Sequence, residues 1–134
     1  MATTTATLTL SSADLSSQAL SITATQTLYK AGTTTGLDQT TGLNKVIYAA
    51  AQSNATLISA GDYEDNTAGK VYIKNVGSSS KDYFTIELGG SNIVIGRLYG
   101  GDFMFIPYEG EQDIDITSTT TSMELEYIVI FQAA

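Results

Sequence analysis

Residue types that do acid–base or nucleophilic chemistry are thin in this chain, and their spacing suits other work. Neither histidine nor cysteine occurs in the 134 residues. That removes the commonest general base, the commonest transition-metal ligand, and any thiolate. Carboxylates remain. Asp113 with Asp115, and Glu124 with Glu126, stand two residues apart, so each pair shares one face of a strand. Paired carboxylates can serve as acid and base in glycoside hydrolysis. Acids alternating with Ile114, Ile116, Met123 and Leu125 are, more simply, the solvent side of a half-buried strand.

Asp62, Glu64, Asp65 and Asn66 place oxygen donors at short spacing, the ligand type hard cations take. Their order departs from the calcium-loop pattern, and a solvated acidic turn is the plainer reading of residues 62–66. Gly100-Gly101-Asp102 lacks the lysine and the following helix of a phosphate loop. A serine nucleophile would need a base, and without histidine only lysine could serve. The expectation is therefore a protein without catalytic residues, metal or cofactor. Residues suited to contact remain. Tyr99 and Tyr108 fall nearest the expected loop ends, where tyrosine serves sugars and protein interfaces alike. Arg97 is the only arginine in an acidic chain, and is expected to be paired within the fold or across a subunit contact.

The elements that must hold these residues read as strands. Short runs rich in β-branched and aromatic residues are separated by Gly, Ser, Asn and Asp clusters, the form of an antiparallel sandwich or barrel. The fold class expected is all-β: an antiparallel β-sandwich or partly open barrel, of jelly-roll or immunoglobulin-like size. Residues 1–6 read as a flexible N-terminal arm, and residues 7–134 as a single domain.

Thr7 to Leu10 and Ala19 to Thr25 alternate as strands, whereas residues 45–51 fit a strand or a short helix. Most large apolar residues lie in 70–131, so the core is expected there. Val71 with Ile73, Phe84 with Ile86 and Leu88, and Ile114 with Ile116 form inward faces. Glu87 falls on a solvent face, and the strand holding Phe103 and Phe105 is expected to be buried on both sides. The turns at 89–92, 100–102 and 109–111 are short enough for hairpins. They suggest a five-strand meander, with the N-terminal half adding the second sheet. Along residues 123–131 the outward set changes from Glu124 and Glu126 to Ile128 and Ile130. That end should be covered by the N-terminal sheet or another subunit. Thr34-Thr35-Gly36-Leu37-Asp38 is echoed by Thr40-Thr41-Gly42-Leu43-Asn44, with both glycines expected at positive φ. This is either a plain surface loop or a protruding loop gripping a neighbour through Thr35 and Thr41.

A formal charge of −8 repels phosphate backbones and anionic lipid, so nucleic acid and membrane are not expected as partners. The apolar run 127–131 is far too short to cross a bilayer. The first residues lack the basic and apolar regions of a secretory signal, which points to a soluble product of the cytoplasm.

Tyr72-Ile73-Lys74-Asn75, a serine-rich turn, Tyr83-Phe84-Thr85-Ile86, Ile95-Gly96-Arg97-Leu98, Gly101-Asp102-Phe103-Met104-Phe105-Ile106-Pro107 and Glu124-Leu125-Glu126-Tyr127 follow in order. Together they resemble small virion structural proteins of tailed bacteriophages, of the marine and cyanobacterial (cyanophage) type. Leu8 to Leu15 and Lys30 to Leu37 are similar in style. The resemblance implies no catalytic residues. It implies a capsid decoration (cement) protein, made in the host bacterial cytoplasm and bound to the capsid exterior of the virion. Its partners would be the phage major capsid protein and further copies of itself, as a trimer or dimer. A tail or head fibre module touching host glycans through Tyr99, Tyr108 and loop carboxylates is the second reading. Arg97, Tyr99, Tyr108, Ile128, Ile130, Thr35 and Thr41 are the candidate contacts.

Overall fold

Alternation of apolar and polar residues sets the strands. The computed structural model describes residues 2–89, 91–120 and 122–133. Met1 of the expected arm, Gly90 of the turn at 89–92, Thr121 and Ala134 lie outside them. The strands are β1 (Thr5–Ser12), β2 (Leu20–Thr27), β3 (Gln39–Thr40), β4 (Asn44–Tyr48), β5 (Ala55–Ile58) and β6 (Gly69–Asn75). They continue with β7 (Tyr83–Leu88), β8 (Ile93–Tyr99), β9 (Phe103–Tyr108), β10 (Ile114–Ser118) and β11 (Met123–Phe131). Residues 45–51, open between strand and helix in the sequence, supply most of β4.

One sheet has the order β5-β10-β7-β8. The other runs β11-β6-β9, with β3 and β4 pairing successively along the free side of β11. All pairings are antiparallel. The sheets remain separate layers, so the fold is a sandwich and not a barrel. Strands β4 to β11 follow the jelly-roll order, an arrangement of two Greek keys.

The expected meander is corrected here. The link from β7 to β8 is a hairpin, but 100–102 and 109–113 each carry the chain from one sheet to the other. Residues 100–102 cross because their backbone bonds to the end of β6: Gly101 N–H donates to the Asn75 carbonyl, and Asn75 N–H to that of Asp102. The Asn75 side chain is buried. Its amide donates to the Leu98 carbonyl at 2.9 Å, and its oxygen accepts from Gly77 N–H. One asparagine thus ties β6 of one sheet to β8 of the other.

The core lies between the layers and includes Val71, Ile73, Phe84, Ile86, Ile114, Ile116, Leu125 and Val129. Burial of each large apolar side chain stabilises the fold by about 1.5–3 kcal/mol. Two expectations fail at its margins. Phe103 is 62 % exposed and Phe105 is exposed too, because Met104, Ile106 and Tyr108 take the inward face of β9, an edge strand, and its outer face is left uncovered. Glu87 is 4 % exposed although it faces outward. It sits mid-sheet opposite Asp115, beside an irregularity in the β7–β8 register, and accepts a 2.5 Å bond from the Thr117 hydroxyl.

Residues 1–6 differ from a free arm: Thr5 and Ala6 are already in β1, and the Thr4 carbonyl accepts from Leu28 N–H. The two threonine-glycine segments also part company. Leu37 is 1 % exposed and Leu43 is 59 % exposed. Gly42 has φ of 73° as expected. Gly36 does not need positive φ; a Cβ there would strike the Ala2 carbonyl.

Candidate interaction surface

β1 and β2 pair only with each other, in unbroken register from Thr5↔Thr27 to Ser12↔Leu20. Directly opposed residues share a face. One face of this ribbon therefore carries Leu8, Leu10, Ile22 and Ala24, and the other Thr7, Thr9, Thr23 and Thr25. The Thr7 and Thr25 hydroxyls meet at 3.2 Å. At the tip the Ser12 hydroxyl accepts from Leu15 N–H at 3.0 Å, holding the connecting loop. Leu8, Leu10 and Ile22 are each nearly half exposed. A two-stranded ribbon is marginal in water by itself, so its root matters.

That root is built on the outer face of the β11-β6-β9 sheet. Leu37 N–H donates to the Leu28 carbonyl at 3.0 Å, Ala31 N–H to the Gln132 side chain at 2.9 Å, and Lys30 pairs with Asp38 at 2.8 Å. The Lys30 ammonium holds the Asp38 carboxyl below its usual range. Leu28 and Leu37 are buried outside the main core. Beneath them lie Ile128 and Ile130, half-buried and lining one cleft with Ala2, Thr4 and Leu37. The apolar outer end of β11 is thus covered from within the chain. Further along the sheet, a groove of about 640 Å³ separates the ribbon from Tyr72, Phe103 and Phe105.

The remaining candidate contacts fall in four places. Arg97 and Tyr99 lie on β8, with the Arg97 guanidinium 4.4 Å above the Tyr83 ring and the Tyr83 and Tyr99 rings 5.0 Å apart. The hydrogen bond to Tyr99 and the Tyr83 ring raise the Arg97 pKa further. This answers where the only arginine finds its partner: on aromatic faces of its own sheet. Thr41 is pinned to β11, since its N–H donates to the Val129 carbonyl and its hydroxyl accepts from Val129 N–H, both at 3.1 Å. Thr35 closes the turn at Lys30 through its carbonyl at 2.8 Å. The structure does not bring Thr35, Thr41 and Arg97 into one site.

Tyr108 is 7 % exposed, which leaves no ring face for a sugar. Its hydroxyl donates to the Gln112 carbonyl at 2.8 Å, and its ring meets Tyr63 edge-on at 5.6 Å. Burial pushes its pKa up to about 12.

Charge gathers away from the ribbon. Glu109 beside Glu111 raises the Glu111 carboxyl, with Asp65 adding to the effect. Among the described residues no three acids converge as a metal cluster. No helix among them is long and apolar enough to cross a membrane.

From the sequence, Thr7 to Leu10 and Ala19 to Thr25 alternate as strands of a second core sheet; the structure sets them in a ribbon paired with neither layer. The signal that distinguishes an arm was present: from Thr5 to Thr27 the single charged residue is Asp14, while the opposite face is entirely Ser and Thr. Searches against protein-family models, curated proteins and solved structures find no match for this chain.

Proposed function

We propose that this chain is a non-enzymatic structural protein of a tailed-phage virion, a cement protein bound outside the head across capsid-protein contacts. The observation that carries an assembly role is the ribbon: an acidic body extends an arm with one charged residue, Asp14 at its tip, and an apolar face that stands in water. Such a face gains free energy only by being covered. The capsid assignment itself rests on the sequence resemblance, and the acidic surface favours the exterior over the DNA-facing interior. Jelly-roll order occurs in viral capsid and lectin domains alike, so it supports this reading and its rival equally.

The mechanism is passive. A partner bound only to the assembled shell raises the free energy needed to separate its subunits. Mixing purified protein with undecorated capsids tests it. Saturable binding near the capsid-subunit ratio, with a raised capsid melting temperature, is expected. Absence of capsid affinity would sink the proposal.

The fibre reading keeps one supporting observation, the Tyr83–Arg97–Tyr99 cluster, whose tilted tyrosine rings and cation suit a sugar face. Retention on a glycan array that is lost in Tyr99→Ala, without capsid binding, would favour it.

A further inference from the structure

We infer that the β1–β2 ribbon is an exchange arm whose occupant is a second copy of this chain, seated reciprocally in the groove beside Tyr72, Phe103 and Phe105. The groove is apolar on both walls, with Leu8, Ala24 and Leu28 facing the aromatic pair. Its volume would suit a small molecule, but that needs free polar groups to orient the ligand. The polar side chains lining it already hold protein partners: the Lys70 ammonium donates to the Ala68 carbonyl at 2.8 Å, the Tyr72 hydroxyl to Glu126 at 3.0 Å and the Gln26 amide to the Thr27 carbonyl at 3.0 Å, while the Thr7 and Thr25 hydroxyls meet each other. What is left is two apolar surfaces of matching chemistry on one molecule, arm and groove.

Charge selects the copy. Two chains of formal charge −8 repel unless they meet where carboxylates are absent. No carboxylate lines the groove, whose single charged residue is Lys70, and the arm carries only Asp14 over residues 5–27. Arm against groove is therefore an approach that brings few acids together. Size is also adequate. Eight residues at about 3.4 Å rise, two strands wide, give each arm a face of roughly 27 by 10 Å. Reciprocal seating covers two arms and two grooves, on the order of 1,100 Å², at the threshold for a specific interface of about 1,000 Å². A two-fold exchange is closed and self-limiting.

The test is sedimentation velocity on the full chain at high micromolar concentration, for wild type and for Leu10→Asp/Ile22→Asp. Wild type is expected to sediment as an oligomer, and the double variant as a monomer with the same circular dichroism and, in dilute solution where both are monomers, the same melting temperature. Self-association should weaken at least about a hundred-fold, since two apolar contacts are replaced by buried charge. Because the chain has no cysteine, an independent measurement is available. Ile22→Cys chains mixed with Phe105→Cys chains should form a disulfide between the two variants.

A monomeric wild type, or a double variant that oligomerises unchanged, would overturn the inference. A monomeric chain that binds capsids through the arm would also overturn it, and leave the cement reading standing. Arm-dependent oligomers with no capsid affinity would support the inference and remove the cement reading.

Discussion

At the residue scale the least comfortable contact is the pair Asp115 and Glu87, directly opposed on neighbouring strands and both nearly buried. Like charges so placed destabilise. Thr117 relieves Glu87, but the buried Asp115 Oδ1 has no partner among the described residues. Asp115→Asn should therefore raise stability by about 0.5–1 kcal/mol, read as a higher urea midpoint, because it removes the repulsion and supplies a donor. Tyr108 gives a pH signature. Its folded pKa is pushed up to about 12 from the ordinary value of 10, so the neutral form is favoured by folding. That contribution is complete below about pH 10 and is lost as pH rises toward 12. The urea midpoint should fall across this window, and more shallowly in Tyr108→Phe. The sequence could not announce either feature. Alternation placed Glu87 and Asp115 on one outward face, but their mutual opposition depends on register between distant strands. Tyr108 likewise looked available only because Pro107 and Glu109 suggested a loop end.

Elements were more legible than their partners. Period two located nearly every strand, from Thr7-Leu8-Thr9-Leu10 to the last. It could not tell a hairpin from a crossing between sheets, since Gly100-Gly101-Asp102 has suitable composition for either. Nor could it separate a central strand from an edge, and so Phe103 and Phe105 were expected inside. β8 is the opposite edge of interest: Ile93 and Val94 are exposed, and Arg97 is the first charge after Lys81, Asp82 and Glu87. An exposed apolar edge strand is a template for unwanted pairing. Val94→Lys should leave the melting temperature within the range of a neutral surface change, about 0.5 kcal/mol. It should slow aggregation on heating, followed by light scattering. Equal aggregation in both proteins would place the vulnerable edge elsewhere.

For the whole molecule, charge and fold act in opposite directions. A surface with formal charge −8 keeps copies apart, while the proposed seating of arm in groove would draw them together over short range. Screening shifts that balance: the Debye length falls from about 30 Å at 0.01 M salt to about 8 Å at 0.15 M. Self-association should tighten as salt rises, measured by sedimentation at the two strengths; an interface held by ion pairs would loosen instead. The order of synthesis supplies a different constraint. β11 is the centre of its sheet, flanked by β6 on one side and by β3 and β4 on the other. On the ribosome, β1 and β2 can zip together early because their contacts are local. β3 and β4 must instead wait for β11, and β6, paired first with β9, lacks its second neighbour until β11 is made. Until residue 131 emerges, the inward face of β9 and the open flank of β6 lack a finished sandwich around them. The arm thus meets the cell before the body does. A nascent chain of this protein therefore trails an unclosed sandwich behind its first two strands, with apolar surface open until β11 is made.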